Sequence, residues 1–487
     1  MSTLSADRTC PACGGPNRCG LLDPDAGGAP CWCASVVIPA SITRANDPAR
    51  CLCQACAGDA PADGDATAGA GVSRRTVLCA LGALSLLPLA TRAEVAIAPD
   101  AKGFRVRTIT AGVELSGPGD FAAIDKALRF LERAKAQFVA DGYEVQTTRI
   151  TTQPLAGYLP EWHTTAAIAK IAKLDAHLAE AGVVWSIGPA LTGEPTVGGF
   201  AQWAADLVAA TKQLSFSVVM ASADRGLHRL AIRAAAEATV AIAASSPNGE
   251  GNFRFAASAF IPPGTPFFPV GYHRGEPAFS IGLESATLVQ QAFAGGVRAG
   301  DATNVLRQHM NAALRPVQAI AMRVAGDLDR KYTGIDTSPA PMLDASIGQA
   351  IETLTGKPFG APGTLAACAA ITAALKNLDV LNCGYCGLML PVLEDPVLAK
   401  RAGEARFRIG DLLSFSSVCG TGLDVVPIPG DTSADGIEAI MTDVAALAVK
   451  YQKALSARLF PVPGKRAGEL ATFDSPYLVD AKVMSIG

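Results

Sequence analysis

The chain has 487 residues, of which 49% are apolar and 17% are charged, so it can bury a large core and is not a disordered protein. Length alone suggests about two to four domains. The formal net charge is −3, and no basic face is visible in the sequence, which argues against nucleic acid as a partner.

The first 60 residues hold eight of the thirteen cysteines. Two C-x-x-C pairs fit tetrahedral metal binding, because this spacing places both sulfurs on one ion. Eight thiolates can hold zinc; a disulfide knot or an inert cysteine-rich tail are the alternatives. The predicted zinc ligands are Cys10, Cys13, Cys19, Cys31, Cys33, Cys51, Cys53 and Cys56. The runs C-P-A-C-G-G-P-N-R-C-G, C-W-C and C-L-C-Q-A-C resemble the bacterial cysteine-rich CWC family, which implies a small metal-binding module.

A linker and a signal-like segment follow. Residues 61–72 consist mostly of Ala, Gly and Asp, which predicts a flexible linker. Residues 73–98 carry a twin arginine before an apolar run that is too short to span a bilayer. This pattern is typical of a twin-arginine export signal and predicts a periplasmic or exported protein, with the true start near Val72. The alternatives are a signal inactivated by gene fusion, which leaves a cytoplasmic protein, and a buried helix.

The main body, residues 99–487, alternates between strand and helix patterns. We predict strands at residues 104–113, 144–152, 182–187, 216–220, 253–260 and 277–283. We predict helices at residues 120–140, 164–181, 227–244, 285–293, 305–328, 346–354, 364–375 and 437–455. The alternation favours an α/β architecture around a mostly parallel sheet.

Several separated motifs of the body resemble, in order, the bacterial and archaeal family called domain of unknown function 711. The resemblance covers residues 104–475 and includes R-T-I-T at 107–110, G-Y-H-R-G-E at 271–276, D-T-S-P-A-P at 336–341, G-Y-C-G-L-M-L-P-V-L-E-D at 384–395 and the run at 416–432. It implies a closed ten-stranded α/β barrel like that of pyruvate formate-lyase-type radical enzymes, with a loop threaded through the barrel. No reaction comes with the resemblance.

Cys419 lies in a Gly-rich turn that leads into an apolar strand pattern. A Gly-rich turn leaves N–H groups open to a ligand, which suits a reactive thiol; the alternative is a free cysteine at the end of a core strand. The resemblance implies that Cys419 is the counterpart of the radical cysteine. However, R-V-A-G-D at 323–327 has Asp where a glycyl site needs an aromatic residue, so we expect no glycyl radical.

His273 and Glu276 lie three residues apart on a loop that contains glycines. An imidazole and a carboxylate can act as acid and base or bind a metal; the alternative is an exposed loop. Cys383 and Cys386 form a C-x-x-C pair, which we interpret as incidental thiols; a redox dithiol, a disulfide or half of a metal site are the alternatives.

Polar residues near the ends of strand patterns are candidates for ligand binding. Arg107 and Arg149 can clamp an anion bidentately, or each can pair with a carboxylate of the chain. The predicted ligand-binding residues are Arg107, Asp336, Ser338, Glu394 and Asp424. The sequence contains no phosphate loop, dinucleotide fingerprint or Ser-His-Asp signature.

These observations favour an enzyme-like barrel protein that acts on a small anionic metabolite through Cys419, with His273 and Glu276 as acid and base. The alternative is a non-catalytic metabolite-binding or regulatory protein with a zinc-binding N-terminal module. The expected partner is a small molecule, a homo-oligomer is compatible with the sequence, and neither nucleic acid nor a stable membrane span is expected.

Overall fold

The structure, a computed structural model, describes residues 103–193 and 198–487. The chain divides into two units, Met1–Glu94 and Val95–Gly487, and the described residues belong to the second. The predicted zinc module, the linker and the signal-like segment lie outside the described residues.

The described body is a mixed α/β structure, as predicted. Its strands are β1 Arg105–Gly112, β2 Val145–Thr151, β3 Val184–Leu191, β4 Leu214–Ser222, β5 Gly226–Leu227, β6 Phe255–Ala259, β7 Ala278–Glu284, β8 Lys331–Ala340, β9 Gly422–Pro429, β10 Leu455–Val462, β11 Leu470–Ala471 and β12 Ala481–Lys482. Its α-helices are α1 Phe121–Ala140, α2 Thr165–Glu180, α3 Phe200–Ala210, α4 Arg229–Ser245, α5 Ala286–Phe293, α6 Ala302–Leu328, α7 Ile347–Thr355, α8 Thr364–Lys376, α9 Pro396–Gly403, α10 Ile409–Ser416 and α11 Ala434–Tyr451.

Ten strands form one sheet in the order β8-β7-β1-β2-β3-β4-β6-β10-β9, with β5 paired to β4. Strands β1, β2, β3, β4 and β6 run parallel to one another. On one side β7 pairs antiparallel with β1, and on the other side β10 pairs antiparallel with β6. Each of these strands has a parallel outer neighbour, β8 beside β7 and β9 beside β10. A block of five parallel strands is therefore flanked by two pairs that run the opposite way.

The sheet is not closed, which differs from the closed barrel that the family resemblance implied. Its edges are β8 and β9. Residues 381–393 lie beside both edges, but their strand pairing is limited to isolated bridges, Ile335 to Asn382 and Pro391 to Asp424. Gly384 and Pro391 interrupt this segment, and a proline cannot donate to a strand ladder. The segment therefore forms no continuous strand between the edge strands β8 and β9.

Burial explains why these runs form strands. All eight residues of β10 and all seven of β7 are buried. A strand that is covered on both faces reads as a continuous apolar run instead of an alternating one. The apolar pattern that predicted β7, and the unpredicted apolar run of β10, thus reflect a sheet whose two faces are both covered.

The helices pack an apolar stripe on the core. In α1 the side chains of Ile124, Leu131, Ala134 and Phe138 are buried, and Asp120 caps the helix by accepting from the N–H of Ala123. Burying a side chain such as Phe138 stabilises the fold by about 2 kcal/mol. Within the described ranges, no helix combines the length and apolarity that crossing a membrane requires.

The predicted helix at residues 437–455 is too long at its carboxyl end. Helix α11 ends at Tyr451, because Gln452 adopts a left-handed conformation with φ 47° that closes the last turn. Leu455 then begins β10. The apolar residues of this strand continue the helical pattern closely enough to conceal the change. No prediction from the sequence covers α3, β8, β10, α9 and α10, nor the two-residue strands β5, β11 and β12.

Candidate functional site

A cavity of about 550 Å³ opens at the amino-terminal ends of the parallel strands. Gln146, Val184 and Ser215 line it from the starts of β2, β3 and β4. Further parts of its wall come from β9, β10 and a loop at residues 475–478. Ligand pockets typically have volumes of about 300–1,000 Å³, so a small molecule fits here.

Two arginines of the cavity wall share one carboxylate. Arg107 Nη2 donates to Glu394 Oε2 at 3.1 Å, and Arg458 Nη2 donates to Glu394 Oε1 at 2.8 Å. Arg458 Nε also donates to Asp424 Oδ1 at 2.7 Å. Burial alone would lower the pKa of Arg458, but the charges of Asp424 and Glu394 raise it above its ordinary value. The chain itself therefore supplies counter-ions for these two arginines.

The strand pairing brings these charges together. Asp424 lies on β9 and Arg458 on the neighbouring β10. On the other side of β9, the N–H of Val392 donates to the carbonyl of Asp424 at 3.1 Å, and the N–H of Leu393 donates to Val425. Glu394 follows directly, so its carboxylate reaches both arginines.

Arg149 lies on β2 in the same wall and is only partly buried. Its Nε donates to Thr147 Oγ1 at 3.2 Å and its Nη1 to the carbonyl of Pro266 at 3.4 Å. Among the described residues, no carboxylate lies within ion-pair distance of its guanidinium. Desolvation and, second to it, the charge of Arg107 lower the pKa of Arg149 to about 9. At neutral pH, Arg149 is therefore a cation without an ion-pair partner among the described residues; the charge of Glu394 acts on it only from a longer distance and partly offsets the lowering of its pKa.

Aromatic rings lie beside the cavity's positive charges. The guanidinium of Arg149 sits 5.0 Å from the ring centroid of Phe268, and that of Arg458 sits 4.9 Å from the centroid of Phe253. Phe253 in turn stacks on Tyr477 with a centroid distance of 6.2 Å. Such contacts favour a cation by about 0.5–2 kcal/mol but leave its net charge in place.

Asp336 and Ser338, two predicted ligand-binding residues, have their oxygen atoms engaged by the chain. The carboxylate of Asp336 accepts from the N–H groups of Tyr385 at 2.8 Å and Cys386 at 3.0 Å, and from the hydroxyl of Ser338 at 2.7 Å. Ser338 Oγ accepts from the N–H of Gly387 at 3.0 Å. Both residues thus hold the bend at residues 384–387 in place, and a ligand-binding role for them stays a prediction.

The same bend packs backbone to backbone against the turn that carries Cys419. A Cβ on Gly387 would overlap the Cα of Gly420, and a Cβ on Gly420 would overlap Gly387. The N–H of Gly420 donates to the carbonyl of Leu388 at 2.9 Å. These glycines therefore serve close packing of two chain segments.

Cys419 is fully buried and belongs to the apolar core. Its N–H donates to the carbonyl of Phe415 at 2.8 Å, and its own carbonyl accepts from Lys453 Nζ at 2.7 Å. This environment matches the alternative prediction, a free cysteine at the end of a core strand. The catalytic role of Cys419 stays a prediction for which the geometry offers no open site.

His273 and Glu276 lie apart from the arginine-lined cavity, whose described wall contains neither residue. The His273 ring is buried against Gly112, its Nε2 donates to the carbonyl of Gly275 at 3.1 Å, and burial lowers its pKa. Glu276 is exposed. A joint acid–base role for the two stays a prediction, and the structure does not bring them together with Cys419.

The remaining thiols of the body are unpaired. Cys383 and Cys386 are free cysteines, and burial raises the pKa of Cys386 to about 12. Across residues 103–193 and 198–487, no three His, Cys, Asp or Glu side chains are grouped closely enough to hold a metal ion.

Three of the five predicted ligand-binding residues, Arg107, Glu394 and Asp424, line the cavity together, and Arg149 joins them. Arg458 was not predicted as a site residue. The sequence feature that could have identified it is its position as the one charged residue of the run that forms β10, because a buried strand tolerates a charge only where a partner is present.

Fold and site together define an α/β protein with an arginine-lined cavity at one end of its sheet. Residues 100–474 match the sequence profile of the family described as Uncharacterised ACR, domain of unknown function 711, and the chain belongs to that family. Residues 10–58 match the cysteine-rich CWC profile. Both resemblances seen in the sequence are thereby confirmed.

Relatives that carry the name UPF0210 protein occur in archaea and bacteria. The one from Pyrobaculum islandicum is 30% identical over 365 residues, which cover 68% of this chain and 76% of the relative. The one from Desulforudis audaxviator is 29% identical over 396 residues, which cover 76% of this chain and 88% of the relative. These names state no reaction, so function has to be argued from the site.

Proposed function

We propose that the body binds a small anionic metabolite in the arginine-lined cavity, with Arg149 as its counter-ion. The observation that carries the proposal is the contrast within one wall. Arg107 and Arg458 have carboxylate partners from the chain, whereas Arg149 has none within ion-pair distance among the described residues. A desolvated charge without a partner is costly, and an anionic ligand offsets that cost.

The geometry of Arg149 favours a carboxylate or phosphate group. Its Nε and Nη1 have weak, neutral acceptors, while its Nη2 makes no hydrogen bond to the described chain. A guanidinium fork binds carboxylate and phosphate oxygens in pairs. The Phe268 ring beside it and the apolar Met389 in the wall leave room for an uncharged portion of the ligand.

A thermal-shift screen tests the proposal. Inorganic phosphate, citrate and benzoate serve as probes, each added at constant ionic strength. A probe at about 100 times its Kd adds about 2.7 kcal/mol to the unfolding free energy, so we expect a rise in Tm of about 3 °C or more for at least one of them.

The variant R149Q should lose this response. The matched control is R129Q, which removes an exposed arginine of α1 and should keep the response. Equal responses from R149Q and the wild-type protein would contradict the proposal.

For the enzymatic alternative, we propose thiol-dependent chemistry at Cys419 as a secondary hypothesis with its own test. The support is the Gly-rich turn around the sulfur; the burial of Cys419 opposes it. Iodoacetamide is applied to the folded protein, and the modified peptides are mapped by mass spectrometry. Burial predicts that Cys419 stays unmodified until the protein unfolds. Modification under native conditions that C419S abolishes would support the thiol hypothesis.

We infer for the architecture that residues 381–393 act as the tenth member of a pyruvate formate-lyase-type barrel. The support is their position, since they bridge in parallel to both β8 and β9. With them the strands would form two groups of five that run in opposite directions. An experimental structure tests this inference: continuous pairing of the segment with either edge strand supports it, and its displacement from both edges contradicts it.

For the N-terminal segment we propose zinc binding by the eight predicted thiolates. The support is the cysteine-rich CWC match together with the C-x-x-C spacing. Zinc is measured by plasma mass spectrometry on the full chain purified without chelators. The double variant C10S/C13S should retain less zinc than the wild-type protein. Disulfides at these cysteines in the freshly purified, alkylated protein, with no zinc, would contradict the proposal.

A further inference from the structure

A second cavity, of about 320 Å³, lies at the carboxyl ends of the parallel strands, away from the arginine-lined cavity. Ser217 and Ser222 line it from β4 and Ser258 lines it from β6, and Tyr272 and Arg274 add the side chains of a loop. Ligands of open α/β sheets bind outside the carboxyl ends of their strands. This cavity therefore lies where ligand-binding sites of such sheets usually lie. Its described wall contains none of the catalytic or ligand-binding residues that were predicted from the sequence.

The Ser222 hydroxyl lies against the ring of His228. Ser222 Oγ is 2.9 Å from His228 Nε2, and His228 Nδ1 is 3.2 Å from the carbonyl of Val219. The carbonyl can only accept, so Nδ1 carries a proton and, in the neutral ring, Nε2 is the acceptor that faces Ser222. This tautomer is the one that a general base for a serine needs.

The chain holds His228 firmly. The short strand β5 pairs antiparallel with β4, with Ser222 opposite Gly226, which returns the chain to the serine within six residues. The N–H of His228 donates to the carbonyl of Met220 at 2.9 Å, and the ring is buried. A Cβ on Gly193 would lie 3.1 Å from this ring, so the segment that ends β3 also packs closely on it.

Asp224 competes for the proton of Ser222. The Ser222 hydroxyl also lies 2.6 Å from Asp224 Oδ1, and this hydrogen bond lowers the pKa of Asp224. A hydroxyl has one proton, so it cannot donate to Asp224 and to His228 at once. If it donates to Asp224, both ring nitrogens of His228 must be protonated; if His228 is neutral, Ser222 donates to Nε2. The Asp224 side chain is 75% exposed and can turn away into solvent.

We propose that Ser222 and His228 form a nucleophile–base pair that acts on small carboxylic esters in this second cavity. Ser222 Oγ attacks the ester carbonyl carbon while its proton passes to His228 Nε2. The tetrahedral adduct collapses, and the C–O bond to the alcohol breaks as that alcohol takes the proton from His228. Water then attacks the acyl-serine, His228 takes one water proton and returns it to Ser222 Oγ, and the carboxylic acid leaves. Arg274, in the same wall, favours an ester that carries a negative group.

The test is labelling of the full chain with a fluorophosphonate probe, which phosphonylates activated serines, followed by mapping of the modified peptide. We expect the label on Ser222 and its loss in S222A. The matched control is S116A, because the Ser116 hydroxyl also bonds an aspartate, Asp120, at 2.8 Å but has no imidazole partner among the described residues. S116A should label like the wild-type protein.

Two further variants separate catalysis from structure. Removing the base in H228Q should slow labelling about 100-fold, the scale of general-base catalysis. Removing the competing acceptor in D224A should instead speed labelling severalfold, a change that a merely structural serine would not give. Because H228Q removes a buried ring, its Tm is measured in parallel, and D224A tests the pair even if H228Q fails to fold. No label on Ser222, or labelling that D224A slows, overturns the proposal.

Discussion

Two regions of the body each contain a desolvated charge, but they differ in how many of its hydrogen bonds the chain supplies. At the bend formed by residues 384–387, the carboxylate of Asp336 receives four hydrogen bonds from Ser338, Tyr385 and Cys386, although burial raises its pKa. In the cavity wall, the hydrogen bonds of the Arg149 guanidinium within the described chain go to two neutral acceptors, the hydroxyl of Thr147 at 3.2 Å and the carbonyl of Pro266 at 3.4 Å.

This difference separates structural charge from functional charge. A charge whose hydrogen bonds are all filled by the chain stabilises the fold, and its removal leaves donors stranded. A charge whose partners are missing costs stability until a ligand arrives, and its removal relieves that cost. Neutral substitution should therefore lower the unfolding free energy at Asp336 and raise it at Arg149.

Substitution of Asp336 should give the largest loss of stability. In D336N, an NH2 group that cannot accept replaces one carboxylate oxygen, so either the N–H of Tyr385, which donates to Oδ2, or that of Cys386, which donates to Oδ1, loses its acceptor. We expect the unfolding free energy to fall by about 3 kcal/mol in urea titration. D443N, on the exposed face of α11, should change it by less than about 0.5 kcal/mol. A neutral result for D336N would mean that the bend does not depend on this carboxylate.

The second-largest loss of stability is expected at the backbone contact between Gly387 and Gly420. In G387A the new Cβ would overlap the backbone of Gly420, which cannot move as a flexible side chain can. We expect a loss of about 2 kcal/mol in unfolding free energy. The matched control is G410A, because a Cβ on Gly410 in α10 meets nothing within 4 Å. It should stabilise the protein by about 0.5 kcal/mol, and a loss in both variants would refute the packing explanation.

A smaller loss of stability, one that depends on pH, is expected when the ion pair between Arg401 and Glu352 is removed. Arg401 donates to both oxygens of Glu352, at 2.7 and 2.9 Å, and these bonds lower the pKa of Glu352 below its ordinary value of 4.5. A lowered carboxyl pKa adds stability that is complete above the ordinary value and is lost as pH falls through the lowered one.

The variant E352Q removes this bidentate ion pair and should therefore cost about 1 kcal/mol of unfolding free energy at pH 7. The cost should shrink below about pH 4.5. E132Q, at an exposed position of α1, is the reference variant and should give a constant difference. A cost for E352Q that does not change between pH 7 and pH 3 would show that the ion pair is not its source.

The alternation of strands and helices was predictable from the sequence because apolar residues form continuous runs in buried strands and recur every three to four positions in amphipathic helices. The strand pattern after the Gly-rich turn at Cys419 was predicted and forms β9, whereas the helix predicted from residue 437 already begins at Ala434, where Ser433 caps α11. Strand β8 was missed because Gly334 and Pro339 interrupt its apolar pattern, whereas in the sheet Gly334 lies against the backbone of Leu381.

The site was predictable only in part. Arg107, Glu394 and Asp424 lie within motifs, so local sequence marked them. Arg458 pairs with Glu394, which lies 64 residues away in the chain, whereas Arg149 has no such carboxylate among the described residues, and no local pattern encodes that difference. The Ser222–His228 contact depends on the two-residue strand β5, which is too short to leave a periodic signal.

The most direct measurement compares R149M with the wild-type protein in urea titration, once in anion-poor buffer and once with the best anionic probe. If Arg149 is the counter-ion of an anionic ligand, R149M should have a higher unfolding free energy than the wild-type protein by about 1 kcal/mol without the probe. The probe should not raise the unfolding free energy of R149M. If R149M is instead less stable without the probe and is stabilised by it as strongly as the wild-type protein, the cavity is not an anion site centred on Arg149.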